Sequence, residues 1–322
     1  MSANPDSRIV REVRDLYTHR DRGLEDLLEG RALSNAALDR LLAPFRAPDQ
    51  RWPVPVHRGL PLVLVNLGYW AAERDWAAAQ VALARFVADQ AGNLAGARVL
   101  DAGSGLAGPA VILASDYGAT VECLNVVEQQ VRWSRDIVAL HGLQSRVRSH
   151  LGSACDMPFA DGVFDVVFCL EAAHFFPDKA GFLAETRRVL KPGGRLVMAD
   201  VVSTSPNYFL RWEWLARLHL ITRMDWHRLL MAAGLTLHRE MSIAGDVFPG
   251  LMRWVVEEQG RSRGMIRRAI RQAWSEDRVW RRRLGRLARV PLRSTFLLPA
   301  LFRRLSGRLL STRDFVLFVA SR

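Results

Sequence analysis

The chain has 322 residues, of which 49% are hydrophobic and 24% are charged, and this is enough for one large α/β domain with additions. No run of about eighteen uncharged apolar residues occurs, which excludes a membrane span, and residues 1–11 lack the layout of a secretory signal. We therefore expect a cytoplasmic protein. The three cysteines are scattered, so the sequence predicts neither a zinc site nor a redox pair.

The positive charge is concentrated in one segment. The formal net charge is +12, yet residues 253–313 alone carry 17 Arg against four acids, a balance of +13. So basic a segment indicates contact with an anionic substrate, an anionic lipid surface, nucleic acid or an acidic partner. The alternative is a solvated helical face in a chain whose cations are nearly all Arg.

The first part of the chain predicts helices followed by an irregular arm. Leu at helical spacing predicts short helices over 9–29 and 35–43. Five prolines between positions 44 and 61 then predict an arm, because proline fits neither helix interiors nor central strands. A helix over about 74–91 leads into the core.

From residue 97 onwards, apolar strands alternate with glycine turns and helices. The predicted strands cover 97–101, 119–125, 146–150, 163–170, 194–202, 234–241 and 314–320, with a further helix over 225–233. This alternation is typical of an α/β fold in which helices cover both faces of a mostly parallel sheet.

A glycine-rich turn, DAGSGLAG at 101–108, joins the first of these strands to a helix. Gly103 and Gly105 would let a ligand approach the backbone at a helix N-terminus, which suits a dinucleotide as well as a methyltransferase cofactor. The charge of Asp101 distinguishes the two ligands, because a carboxylate would repel a pyrophosphate but could receive the ammonium of a methionine moiety. A dinucleotide enzyme would also want an acid where this chain has Asn125. The alternative is a tight turn with an exposed acid.

Further segments follow a recognisable order around this turn. They are NLGYW at 66–70, NVVEQQ at 125–130, GSACDMPF at 152–159, EAAHFFPD at 171–178 and RVLKPGGRL at 188–196. With them the chain resembles the class I, Rossmann-like S-adenosylmethionine-dependent methyltransferases of small molecules. Within that class it is most similar to the group of sterol and tocopherol C-methyltransferases, natural-product sugar O-methyltransferases and cyclopropane synthases.

The resemblance implies a fold, a cofactor and a division of the chain. The fold is a Rossmann-like, seven-stranded, mostly parallel sheet with an antiparallel last strand, and the cofactor is S-adenosylmethionine. Its domains are expected as an N-terminal helical arm and cofactor-closing segment (1–70), the cofactor-binding core (71–244), a basic helical cap inserted between strands six and seven (245–311), and the final core strand (312–322).

The resemblance also implies which residues hold the cofactor, besides Asp101 and the two glycines. Asn125 and Gln130 match the pair that holds the ribose hydroxyls. Ser153, Ala154 and Cys155 match the adenine segment, although the family usually has Asp where this chain has Ser153. A hydroxyl can accept the same hydrogen bond, more weakly than a carboxylate.

Two aromatic residues match the segment that precedes the core in this family. The family commonly has His-x-Gly-aromatic-aromatic there, and Asn66 replaces the His. Tyr69 and Trp70 are expected to close over the methionine end of the cofactor, where rings can attract a sulfonium cation. The alternative is that they pack the arm on the core, and both can hold together.

The segment after the fourth strand carries the candidate catalytic residue. Ligands of open α/β sheets bind beyond the strand carboxyl ends, so these side chains should face the reacting centre. His174 is the best candidate base for a hydroxyl or acidic C–H acceptor. Several relatives have the His one position later, at Phe175, so contact with substrate or packing stays an alternative. Glu171 is expected to contact the cofactor or orient the loop.

The basic cap bears on the substrate. Apolar residues at helical spacing, such as Ile266, Ile270 and Trp274, predict amphipathic helices with Arg-rich backs. We expect them to line a pocket for a small, lipophilic, anionic or carrier-bound acceptor, and to contact an anionic lipid surface or acidic carrier protein, which would make the protein peripheral to a membrane. Methylene transfer to a lipid, nucleic-acid methylation and non-catalytic cofactor binding remain open, although the absence of a target-base motif disfavours nucleic acid.

Overall fold

The computed structural model describes residues 55–204, 219–261 and 313–322. The predicted helices over 9–29 and 35–43 lie outside these ranges, as does most of the basic cap, and the structure does not test them. The division of the chain into four domains likewise stays a prediction.

Seven strands form the main sheet, as the sequence predicts. In chain order they are β3 (Arg98–Ala102), β4 (Thr120–Asn125), β5 (Val147–Leu151), β6 (Phe164–Leu170), β7 (Leu190–Ser203), β8 (Thr236–Ser242) and β9 (Arg313–Ser321), after a small hairpin of β1 (Val56–His57) and β2 (Leu60–Pro61). Their order across the sheet is β5-β4-β3-β6-β7-β9-β8. The first five run parallel, and β9 pairs antiparallel with both β7 and β8. The Rossmann-like sheet with an antiparallel last strand is confirmed.

Helices connect these strands. They are α1 (Trp76–Asp89), α2 (Gly108–Asp116), α3 (Glu128–Leu140), α4 (Lys179–Val189), α5 (Arg223–Ala232) and α6 (Ala244–Arg261), with a 3-10 helix at Ala173–Phe175. Side-chain caps define several starts. Asp75 accepts from the N–H of Ala78 before α1, and Asp178 accepts from that of Gly181 before α4, which satisfies N–H groups that a first helical turn leaves free.

Two apolar clusters hold the helices on the sheet, one on each face. The first packs α1, α2 and α3 and includes Val99, and the second packs α4 and α5 and includes Leu100. Adjacent residues of β3 thus enter opposite clusters, as the two-residue period of a strand requires. On β9, Leu317 and Phe318 divide in the same way. The apolar runs read from the sequence are buried because both faces are covered.

The fifth strand differs from its predicted start. The sequence predicts a start at residue 194, but β7 begins at Leu190, which pairs with Phe164. The register then shifts, and Arg195 pairs with Val166. The Lys191–Gly194 turn therefore belongs to an irregular first part of the strand. None of the helices in the described ranges has the length and apolar character needed to cross a bilayer.

Candidate active site

The glycine-rich turn lies where β3 ends and α2 begins. The N–H groups of Gly103 and Ser104 both donate to the carbonyl of Leu124, at 2.9 and 3.2 Å, which ties the turn to β4. Gly103 has a φ of +83° and Gly105 one of +53°, values that cost glycine little. Ala107 caps α2 at a φ of +62° without a side-chain hydrogen bond. The start of α2 therefore holds strain, which concentrates at functional sites.

The two glycines serve different purposes. A Cβ added at Gly103 would lie 2.4 Å from Cβ of Ala172, so the absence of a side chain lets β3 and the end of β6 approach each other. A Cβ added at Gly105 would meet nothing within 4 Å. Gly103 is needed for packing, and Gly105 leaves backbone open to a ligand.

Asp101 is a buried carboxylate with an unsatisfied oxygen. The residue is 2% exposed, and its Oδ2 atom accepts no hydrogen bond from the described part of the chain. Burial raises the pKa of Asp101 to about 7, because a low-dielectric surrounding disfavours the charged form. Such a group gains most from a ligand that brings a positive charge, and the ammonium of a methionine moiety fits it.

Asn125 and Gln130 are brought together as the sequence predicts. The Asn125 amide donates to Oε1 of Gln130 at 2.8 Å and to the carbonyl of Gly105 at 3.1 Å, while its oxygen accepts from the N–H of Val127. Asn125 is buried, whereas Gln130 is half-buried at the start of α3. Asn125 thus fixes the turn and orients Gln130, whose amide nitrogen makes no hydrogen bond within the described ranges.

The predicted adenine segment begins immediately after β5, next to Asn125. The N–H of Gly152 donates to the carbonyl of Asn125, and the N–H of Cys155 donates to Oγ of Ser153 at 3.1 Å. Ala154 is buried, and the Cys155 thiol donates to the carbonyl of Asp178. The Ser153 oxygen is therefore already an acceptor within its own turn, so its capacity for an adenine amino group is reduced.

The segment before the core passes over the glycine turn. A Cβ added at Gly108 would lie 2.2 Å from the carbonyl oxygen of Val63, so this segment touches the start of α2. Further along, the N–H of Leu67 donates to Oε1 of Glu171 at 2.7 Å. Asn66 and Gln80 exchange side-chain to backbone hydrogen bonds that fasten the segment to α1. Asn66, which replaces the family's His, therefore has a hydrogen-bond partner on α1.

Tyr69 and Trp70 pack this segment on the core. The Tyr69 ring stacks on Phe86 at a centroid distance of 4.4 Å, and its hydroxyl donates to Asp246. Trp70 is 4% exposed, and its Nε1 donates to the carbonyl of Leu67. The packing alternative is what the structure displays, and contact of either ring with the cofactor stays a prediction.

Glu171 orients the loop at the end of β6. Its φ is +49°, a conformation that L residues rarely adopt, and its carboxylate receives the Leu67 hydrogen bond. Burial raises the pKa of Glu171 to about 8, and the hydrogen bond from Leu67 opposes this shift. Its negative charge and that of Asp200 repel each other. Glu171 thus joins the pre-core segment to the loop after β6, and a contact of Glu171 with the cofactor stays a prediction.

His174 lies in the 3-10 helix that follows, bound to a residue that the sequence analysis missed. Its Nδ1 is 2.5 Å from Oδ1 of Asp200, and its backbone N–H donates to Oδ2 of the same carboxylate at 2.8 Å. The side chain of Asp200 is 1% exposed and that of His174 is 11% exposed. A carboxylate only accepts, so Nδ1 carries a proton, and in the neutral imidazole the lone pair then lies on Nε2. The only available sequence signal was a single acid within the apolar run of β7.

The ionisable side chains around this loop are predominantly acidic. Asp101, Glu171 and Asp200 are buried or nearly so. Burial raises the pKa of the Cys169 thiol, and the negative charges of Asp200 and Asp101 raise it further. One buried cation, Lys179, lies beneath the loop. The residues present therefore fit a ligand that carries net positive charge, as S-adenosylmethionine does.

Comparison with known proteins agrees with this geometry. Residues 100–198 match a family model described as a methyltransferase domain. This part of the chain is therefore similar to methyltransferase domains. The matched residues run from within β3 to the middle of β7 and include Asp101, Asn125 and His174. S-adenosylmethionine is the cofactor that this match and solved structures of the same fold support.

Curated relatives match mainly this domain. The methyltransferase GfsG of Streptomyces halstedii is 44% identical over 108 residues, which are 34% of this chain and 39% of the relative. The 27-O-demethylrifamycin SV methyltransferase of Amycolatopsis mediterranei is 34% identical over 155 residues, 47% of this chain and 53% of the relative. The chain thus spans about half the length of these relatives or less.

The similarity of fold to solved structures extends beyond the matched domain and covers most of the chain. The geranyl diphosphate C-methyltransferase of Streptomyces coelicolor, determined with Mg²⁺, geranyl diphosphate and S-adenosyl-L-homocysteine, superposes with a TM-score of 0.60 at 18% identity. The match covers 81% of this chain and 92% of that one.

Proposed function

We propose that the protein transfers a methyl group from S-adenosylmethionine to a hydroxyl group of a small acceptor. The observation that supports this proposal is the hydrogen bond between His174 and Asp200, which would leave Nε2 of the imidazole as a base beside the proposed cofactor site. S-adenosylmethionine, when bound, supplies an electrophilic methyl group and a good leaving group. A protein then has to hold the acceptor in line and remove its proton.

The cofactor would be held by the groups around the glycine turn. Asp101 would receive the ammonium of the methionine moiety, and Gln130, oriented by Asn125, would bind the ribose hydroxyls. Ala154, Cys155 and the hydroxyl of Ser153 would border the adenine. Glu171 would shape the site through Leu67, and Gly105 would leave room for close approach to the backbone.

His174 and Asp200 would perform the proton transfer. Nε2 would accept the proton of the acceptor hydroxyl as that oxygen attacks, and the imidazolium that forms would be stabilised by the Asp200 carboxylate at Nδ1. Asp200 also holds the backbone N–H of His174, so the ring has little freedom to turn away. A base placed in this way typically accelerates a reaction by about 10²–10⁴-fold.

The acceptor is proposed to be lipophilic, with an anionic group or carrier. Oxygen methylation is the reaction printed in the name of the rifamycin relative, and the basic segment supplies cationic groups for an anion. An anionic lipid surface or an acidic carrier protein would be held by the same arginines. Charge reversal of Arg281, Arg282 and Arg283 together should raise the KM of the acceptor and leave cofactor binding unchanged.

A screen with methyl-labelled S-adenosylmethionine tests the proposed function. Polyketide, quinone, sugar and lipid acceptors are incubated with the protein, and the labelled atom of each product is identified by NMR. Label on oxygen supports the proposal. Label only on carbon of an alkene lipid would show methylene transfer instead. Salt-sensitive labelling of a polynucleotide would show nucleic-acid methylation instead. Cofactor binding without any transfer would contradict catalysis.

A further inference from the structure

Lys179 is a buried cation directly beneath the loop that carries His174. It is the first residue of α4 and is 6% exposed. Its Nζ donates to the carbonyl of Ala173 at 2.5 Å and also to the carbonyl of Phe176. These two carbonyls flank His174 on either side, so one ammonium group closes the turn in which the imidazole lies.

The choice of lysine at this position is unusual for the chain. Of its 45 Lys and Arg residues only two are lysines, Lys179 and Lys191. An ammonium is a compact charge with three donors, whereas a guanidinium is a planar fork that needs more room. Two carbonyls of one tight turn suit the ammonium, which gives a physical reason for lysine in an otherwise Arg-rich sequence.

Lys179 also acts on the charges of the site. Burial lowers its pKa to about 8, while the negative charge of Asp200 on β7 opposes that shift. Opposite charges in a buried site stabilise each other. Lys179 and Asp200 therefore attract each other close to the turn that carries His174.

We propose that Lys179 is a positioning residue for His174, holding through two carbonyls the turn that carries it, so that the imidazole stays bound to Asp200 in its Nδ1–H tautomer with Nε2 free. The inference rests on the proposed role of His174 as the base. A purely structural lysine would affect stability and leave the tautomer unchanged.

Histidine NMR separates these two roles. In protein labelled with [15N]histidine, His174 is assigned by its loss in His174→Asn, and the ring nitrogen shifts report the tautomer at pH 7 without any acceptor. We expect a single Nδ1–H tautomer in the wild type and a mixture in Lys179→Met. The matched control is Lys191→Met, which removes the other lysine at a half-exposed ion pair with Asp165 and should leave the tautomer unchanged.

Turnover is then measured with the same variants. Lys179→Met should lower kcat by about tenfold or more and change the Kd of S-adenosylmethionine by less than about twofold. A folded Lys179→Met protein with a single Nδ1–H tautomer would overturn the inference. The absence of methyl transfer from the wild type would contradict the proposed function instead, because the tautomer is measured without a reaction.

Lys179→Arg supplies a second test if Lys179→Met does not fold. It keeps the positive charge, but the planar guanidinium fork needs more room than the ammonium that binds two carbonyls of one tight turn. We expect a mixture of His174 tautomers in this variant as well. A single Nδ1–H tautomer in folded Lys179→Arg would overturn the inference.

Discussion

Nδ1 of His174 lies 2.5 Å from Oδ1 of Asp200, and the other oxygen of the same carboxylate accepts the backbone N–H of His174 at 2.8 Å. One buried acid thus fixes both the ring and the backbone of the proposed base. The arrangement explains how a histidine on a short 3-10 turn keeps one orientation, although the turn itself has few residues to restrain it.

Replacement of Asp200 by Asn should impair turnover more than binding. The amide can donate to Nδ1, which favours the Nε2–H tautomer and leaves no lone pair for the acceptor proton. We expect kcat to fall by about a hundredfold or more, with the Kd of S-adenosylmethionine nearly unchanged in calorimetry.

Non-additivity gives the control for this prediction. The double variant His174→Ala/Asp200→Asn should be no slower than His174→Ala alone, because Asp200 acts through His174. Independent, multiplying losses would show that Asp200 has another function.

Cofactor affinity should rise with pH through the titration of Asp101. With a pKa of about 7, the carboxylate is mostly protonated at pH 6 and mostly ionised at pH 8, and only the ionised form attracts an ammonium. The Kd measured by calorimetry should therefore be roughly tenfold lower at pH 8 than at pH 6. Asp101→Asn should bind weakly at both, whereas Asp161→Asn at an exposed position should retain the wild-type profile.

The same carboxyl should make the ligand-free protein less stable as pH rises. Its pKa is near 7 when folded and near 3.8 as its ordinary value, so between these values the folded protein binds more protons and stability falls with increasing pH. At pH 8, Asp101→Asn without cofactor should therefore unfold at a higher denaturant concentration, with a gain on the order of 1–3 kcal/mol. A variant less stable than the wild type at pH 8 would show that the Asp101 charge is already compensated.

The two glycines of the turn should respond differently to alanine. Gly103→Ala places a Cβ 2.4 Å from that of Ala172, and we expect it to lower the free energy of unfolding by about 2–4 kcal/mol. Gly105→Ala meets nothing within 4 Å and should cost only about 1 kcal/mol, yet weaken cofactor binding about tenfold or more. Denaturant unfolding and calorimetry measure the two effects, and normal cofactor affinity in Gly105→Ala would exclude a ligand over this turn.

The ribose contact should depend on Gln130 and not on its neighbour. Gln130→Ala removes the side chain that Asn125 orients, so the Kd of S-adenosylmethionine should rise roughly tenfold while kcat at saturation changes little. Gln129→Ala, half-buried one position earlier on α3, serves as the matched control. Equal effects of the two variants would contradict a specific role for Gln130.

Much of the fold and the cofactor side of the site could be predicted because their signals are local. Apolar runs bounded by glycine gave the strands, and Asn125 and Gln130 are five residues apart, so one helix start brings them together. The turn at Gly103 and Gly105 is likewise contained within a few residues, since positive φ angles demand glycine at particular positions.

The catalytic side could not be completed from the sequence because its contacts are distant. Asp200 reaches His174 from a neighbouring strand, 26 positions later, and Glu171 binds Leu67 across 104 positions. Which way His174 points depends on the 3-10 turn and on the register of β6 with β7, and neither follows from a periodic pattern. The aromatic pair at Tyr69 admitted two interpretations for the same reason.

A single-turnover experiment tests the central claim most directly. Protein is saturated with methyl-labelled S-adenosylmethionine, an acceptor found in the screen is added, and transfer is followed for the wild type and His174→Gln at equal cofactor occupancy. We expect label on an acceptor oxygen, with transfer slower by about a hundredfold or more in the variant. Equal rates in the two proteins, at equal occupancy, would contradict the assignment of His174 as the base.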